Sequence, residues 1–200
     1  MSPLPAIPRL EAHDGSVWAV GDQGVIERFQ GEIMQEWRPF GTEPSIVDLT
    51  QAHNGDIWAI PTREGVARWD GRIWHVWAEK AFLAYLCPRG SKECLETPLP
   101  DTRYYPADGL GKPESEDSVL APTDILGTSD GSVWVATNGQ GISRWTGQNW
   151  RNYTTHDGLS SESISVLVQA PDGTLWAGTW EGNINYYNSE TDRWQSFPGK

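Results

Sequence analysis

No stretch of this chain approaches the roughly eighteen uninterrupted apolar residues of a membrane-spanning helix, and the N-terminal run from Met1 to Pro8 has neither the basic nor the apolar region of a secretory leader. Direct membrane insertion is therefore not expected, while the compartment stays open, because a leader removed from a precursor leaves no trace. Basic residues are scarce as well: 15 Lys and Arg against 27 Asp and Glu give a net charge of −12. Such a surface repels phosphate backbones, so nucleic acid is excluded as a partner. Cysteine occurs only twice, as Cys87 and Cys94, without the His and Cys spacing of a metal site. In an oxidising compartment the pair is placed to close a small loop, and otherwise they remain two separate thiols. What the chain does have is tryptophan, 12 in 200 residues, with 21 Gly and 14 Pro, an aromatic content that rules out a disordered segment.

Those tryptophans recur. His13-Asp-Gly-Ser-Val-Trp18, His53-Asn-Gly-Asp-Ile-Trp58, Ser129-Asp-Gly-Ser-Val-Trp134 and Pro171-Asp-Gly-Thr-Leu-Trp176 align without gaps. Eight residues after each Trp stands Ile26, Val66, Ile142 or Ile184, and three further on Phe29, Trp69, Trp145 or Tyr187. Arg28, Arg68 and Arg144 precede that aromatic in three copies, with Tyr186 in the fourth. A last short run reads Met34-x-x-Trp37, Trp74-x-x-Trp77, Trp150-x-x-Tyr153 and Trp194-x-x-Phe197. Each copy reads as four short strands. The first hairpin is marked by Asp-Gly or Asn-Gly, whose glycine supplies the positive φ of a tight turn. Units of about forty residues that must bury both faces against neighbours are blades. The expectation is an all-β fold, a β-propeller of four four-stranded antiparallel blades at about 5–40, 41–77, 104–153 and 159–198, in one domain over residues 1–200.

The spacing is uneven. Successive recurring tryptophans are 40, 76 and 42 residues apart. The middle interval therefore carries an insertion, at about 78–103, between blades two and three. If first strands run from a top face to a bottom one, the loops joining second and third strands and the connections between blades share the top face with this insertion. Asp-Gly turns lie opposite. Long irregular connections in a regular domain are more often functional than ornamental.

Catalysis needs convergent groups, and the four histidines do not supply them. His13 and His53 stand at equivalent turn positions where Ser129 and Pro171 replace them; His75 aligns with Gln35, Arg151 and Gln195. His156, beside Asp157 in a connection between blades, is the one histidine placed for the top face. No phosphate-cradling glycine loop or serine nucleophile elbow occurs. The expectation is no enzyme, no metal and no cofactor.

The run Asp130-Gly-Ser-Val-Trp134-Val-Ala-Thr137-Asn-Gly-Gln-Gly141-Ile-Ser-Arg144-Trp145, followed by Trp150-x-x-Tyr153-Thr-Thr-His-Asp157-Gly-Leu159, resembles the two-component regulator propeller repeat. Thr137 and Thr179 follow the family pattern in blades three and four, whereas Val20-Gly21 and Ile60-Pro61 depart from it. The family builds ligand-binding sensor domains of bacterial hybrid two-component systems and is similar to the propeller of streptogramin lyases. The resemblance implies a sensing role outside the cytoplasm. Family propellers typically have about seven blades, so four blades mean a ring closed within one chain, a ring completed by a second copy as a homodimer, or a fragment.

Eleven tryptophans take equivalent blade positions and are expected in the core. Trp180 has no aromatic counterpart in the other copies. The candidate binding residues on the top face are Trp180, Glu181, Asn138, Gln140, Arg63 and Asp22, joined by Phe82, Tyr85, Tyr104 and Tyr105 of the insertion. The expected partner is another protein, or a glycan or small-molecule ligand; the competing class is a structural subunit of a larger assembly.

Overall fold

In the computed structural model, residues 7–40, 45–62, 65–78, 102–106 and 122–197 are described. They form four antiparallel sheets. Blade one is β1 (Ile7–Glu11), β2 (Val17–Val20), β3 (Ile26–Gln30) and β4 (Ile33–Trp37); blade two is β5 (Ile46–Gln51), β6 (Ile57–Pro61), β7 (Val66–Trp69) and β8 (Trp74–Ala78). A fifth strand, β9 (Thr102–Pro106), joins blade two parallel to β8. Blade three is β10 (Pro122–Gly127), β11 (Val133–Thr137), β12 (Ile142–Trp145) and β13 (Trp150–Tyr153); blade four is β14 (Ile164–Gln169), β15 (Leu175–Thr179), β16 (Ile184–Asn188) and β17 (Arg193–Ser196). The fold is thus all-β, of propeller type. Blade three takes its first strand from Pro122, and the stretch near 104 contributes an edge strand to blade two instead.

The Asp-Gly turns are three-residue connections. Ala12 N–H donates to Ser16 C=O and Gly15 N–H to Ala12 C=O, with the same pattern at Thr128–Ser132 and Ala170–Thr174. The aspartate side chain stiffens the turn by accepting from the backbone two residues on, as in Asp14 to Ser16 and Asp130 to Ser132. Only the glycine needs positive φ, +78° at Gly15 and +84° at Gly131. In every first hairpin the register slips once, between Pro8 and Leu10, Ile46 and Asp48, Pro122 and Asp124, and Ile164 and Val166. This repeated bulge bends each first strand at the same level.

By internal contacts the chain divides into two compact units, Met1–Gln51 with Gly55–Ala107, and Ala52–Asn54 with Asp108–Lys200. Unit one packs blades one and two around Trp18, Ile26, Phe40, Leu49, Ala59 and Trp74. Unit two packs blades three and four around Trp134, Ile142, Tyr153, Leu167, Ala177 and Trp194. The recurring tryptophan of the second strand meets the last aromatic of the fourth in every blade. Ring centroids are 5.5 Å apart for Trp18 and Trp37, 5.6 Å for Trp58 and Trp77, 5.5 Å for Trp134 and Tyr153, and 5.6 Å for Trp176 and Phe197. Aromatic pairs at these distances add to the burial of large apolar area, which suits the large ring found at this position in all four blades. Among the described residues no helix is long and apolar enough to cross a membrane.

Candidate functional site

At one end of unit two, the turns 138–141 and 180–183 flank the connection 154–163 between its blades. That connection starts with a fixed turn: Thr154 caps the one-turn helix Thr155–Asp157, and Asp157 returns a bond to the Thr154 N–H. Glu162 then accepts from both neighbours, its carboxylate from the N–H and hydroxyl of Thr155, its carbonyl from the N–H groups of Gly139 and Gly141. Ser163 bridges to Asn138 and its carbonyl accepts from Trp180 N–H. Asn138, Trp180 and Glu181 are therefore held by one backbone framework.

Trp180 is 65% exposed on this framework. Asn138 and Glu181 are exposed beside it in the turns. The Glu181 carboxyl is held below its ordinary range, first by its own backbone N–H and then by the side chain of Ser161, so it stays charged. Gln140 is different. It is only 6% exposed, its N–H donating to the Thr137 hydroxyl and its C=O accepting from Asn152 Nδ2. That burial takes Gln140 off the contact surface. Asp22 lies in unit one, exposed in the turn Asp22–Gly24, where Arg38 Nη1 donates to the Gln23 carbonyl. Arg63, Phe82, Tyr85, Cys87 and Cys94 lie outside the described residues, as do the side chains of Tyr104 and Tyr105 on β9.

The opposite end of each unit holds a device whose parts the repeat displays but whose role it does not. In blade one, Arg28 pairs with Asp14 at 2.7 Å and lies over the Trp18 ring at 5.7 Å. In blade three, Arg144 pairs with Asp130 at 2.9 Å and lies over Trp134 at 4.9 Å. Blade two has Asn54 where the others have Asp, and the carboxylate moves two residues along the turn to Asp56, which Arg68 reaches at 3.6 Å. The arginine thus clips the turn onto the tryptophan face by ion pairing and cation–π contact. Burial opposes the charge of Asp130, but the Thr128 hydroxyl and the Ser132 N–H and hydroxyl hold its carboxyl down. Blade four has Tyr186 instead and lacks the clip.

A second regularity joins neighbouring turns. Gln51 Oε1 accepts from His13 N–H while its Nε2 donates to Gly55 C=O, and Gln169 repeats both bonds with Ser129 and Gly173. Between the turns of blades three and four opens a cavity of about 420 Å³ lined by Asp130, Arg144, Gln169, Asp172 and Tyr187. Its guanidinium is already occupied by Ser132, Asp130 and Tyr187. Among the described residues no group of three His, Cys, Asp or Glu is placed to hold a metal ion.

Residues 158–181 match the two component regulator propeller model, a stretch that runs from within the connection between blades three and four through Trp180. No curated protein matches the chain by sequence. Among solved structures, a catalytically inactive virginiamycin B lyase from Staphylococcus aureus, with quinupristin, is 16% identical, with a TM-score of 0.65 over 97% of this chain and 55% of the lyase. The extracellular domain described as a hybrid two component system of B. thetaiotaomicron is 14% identical, with a TM-score of 0.60 over 97% of this chain and 27% of that one. YCF48 bound to a D1 peptide is 18% identical, with a TM-score of 0.53 over 96% of this chain and 53% of YCF48. The chain spans about half the length of the lyases, and at these identities the likeness is one of fold.

Proposed function

We propose that this chain is a non-enzymatic recognition module, working outside the cytoplasm, that engages a protein segment through the end of unit two centred on Trp180. The carrying observation is Trp180 itself, 65% exposed on a turn tied down by Ser163. An exposed indole on a pre-ordered loop loses little entropy on binding and buries a large area, as the anchors of protein interfaces do. Glu181 and Asn138 beside it supply a charge and an amide for orientation. Other charged groups of the same end are engaged in structure: Glu162 and Asp157 accept from the backbone, and Arg193 donates to the His156 carbonyl. This arrangement favours contact over catalysis. The peptide-bound YCF48 gives a precedent of fold for contact with a peptide, and the extracellular domain of the two component system one for a place outside the cytoplasm.

The test is to probe peptide and glycan arrays with the purified chain and with Trp180→Ala. Peptide binding that falls about tenfold or more in the variant, with unchanged melting, is the expected result. Binding restricted to glycans, or peptide binding indifferent to Trp180, would overturn this reading.

A further inference from the structure

Blade four buries one face against blade three and exposes the other. The buried face carries Leu167, Leu175, Ala177 and Trp194. The exposed face carries Val166, Val168, Ile184 and Phe197, each between 44% and 52% exposed, around the half-buried Trp176. Strand register makes this exposed face the equivalent of the one that blade three turns to blade four: Trp176 stands for Trp134, Gly178 for Ala136, Ile184 for Ile142 and Phe197 for Tyr153.

Three substitutions separate the two faces. Blade three ties itself to blade four through Asp124, which accepts from Leu167 N–H, through Arg144, which donates to Tyr187, and through Arg151, which pairs with Asp192. Blade four has Val166, Tyr186 and Gln195 at those positions. A blade whose outer face meets water needs that face to be more polar. This one has lost its charges and kept its apolar set, which is the pattern of a surface that another blade covers.

We propose that this face docks on the outward face of blade one in a second copy of the chain. Blade one presents the matching half. Val17, Phe29 and Met34 pair across its strands and occupy the positions of Leu175, Tyr187 and Trp194, and Ala19 occupies that of Ala177. Met34 is 55% exposed. Glu27 and Glu36 share that face and meet no like charge, since the blade-four face carries none. The contact is head to tail, and such a contact closes only at a fixed number of copies. The chain spans 53–55% of the lyase structures, so two copies come to about the length of one lyase. Four blades from each copy make eight, within the range of about four to eight blades in which propellers close.

Light scattering on the purified chain reads the outcome. The expected mass is that of two chains, falling to one for Ile184→Asp and equally for Met34→Asp, two exposed positions whose substitution leaves the circular dichroism of the folded chain unchanged. Mixing the two variants restores a two-chain species, because the Ile184→Asp copy keeps an intact blade one and the Met34→Asp copy an intact blade four. A single-chain mass for the unaltered protein overturns the proposal. So does a two-chain mass indifferent to both substitutions, or a mixture that stays at one chain.

Discussion

Tyr153 and Tyr187 both donate to the carboxylate of Asp192, and Arg151 pairs with its other oxygen at 3.0 Å. Burial opposes the Asp192 charge, but the two hydroxyls and the arginine outweigh it and hold the carboxyl below its ordinary value. Burial first, then the bond to Asp192, pushes the Tyr153 hydroxyl well above its ordinary value. The signs differ by group. A depressed carboxyl contributes stability that is full above about pH 4 and is lost as pH falls below that; a raised phenol contributes stability that is full below about pH 10 and is lost as pH rises. The denaturation midpoint should therefore form a plateau with a shoulder at each end. Asp192→Asn should blunt the acid shoulder and Tyr153→Phe the alkaline one, as read from denaturant titrations across pH. If neither variant changes the shape, the cluster does not couple protons to folding.

Turns and connections decide what each blade can present. Gly141 and Gly158, at φ of +74° and +100°, sit where an added Cβ would stand 2.0 Å from the carbonyl oxygens of Tyr153 and Trp194. Strain and clash act together at these positions, so Gly158→Ala should lower stability by at least about 2 kcal/mol in denaturant titrations. Gly147→Ala, at φ +95° with open space around it, should cost less than Gly158→Ala because only strain remains. The same elements show what a sequence reveals. Strands and hairpins were legible because period-two alternation and Asp-Gly turns are local, and Trp180 because it broke a repeat. β9 was not, because a parallel strand added at an edge is made by distant backbone bonds and leaves no local pattern. Nor was the burial of Gln140: Glu162 draws down the turn around it, and that constraint comes from another blade's connection. The move of a carboxylate from position 54 to 56 was visible as letters, but its meaning required Arg68 to be seen reaching it.

At the scale of the chain, the described residues of each unit build a core of their own. Ile26 and Ile142 take equivalent places in blades one and three, both fully buried, one in each core. Their neighbours are drawn from the same unit, since each core is built from a pair of adjacent blades. An Ile→Ala change at either site leaves a cavity and should cost about 2–5 kcal/mol. Where that cost appears is the informative part. Opening free energies vary across a structure in contiguous cooperative blocks, and a block's protection follows the contacts made inside it. Hydrogen exchange on Ile142→Ala should therefore show faster exchange at the amides of β10 to β17, with β1 to β8 little changed, and Ile26→Ala should show the reverse. Uniform loss of protection across all four blades in either variant would mean that the chain unfolds as one block, whatever its division of contacts. The comparison also bears on the docking proposed for blade four: a second copy covering Trp176 and Ile184 should add protection to β16 in the unaltered chain that Ile184→Asp removes.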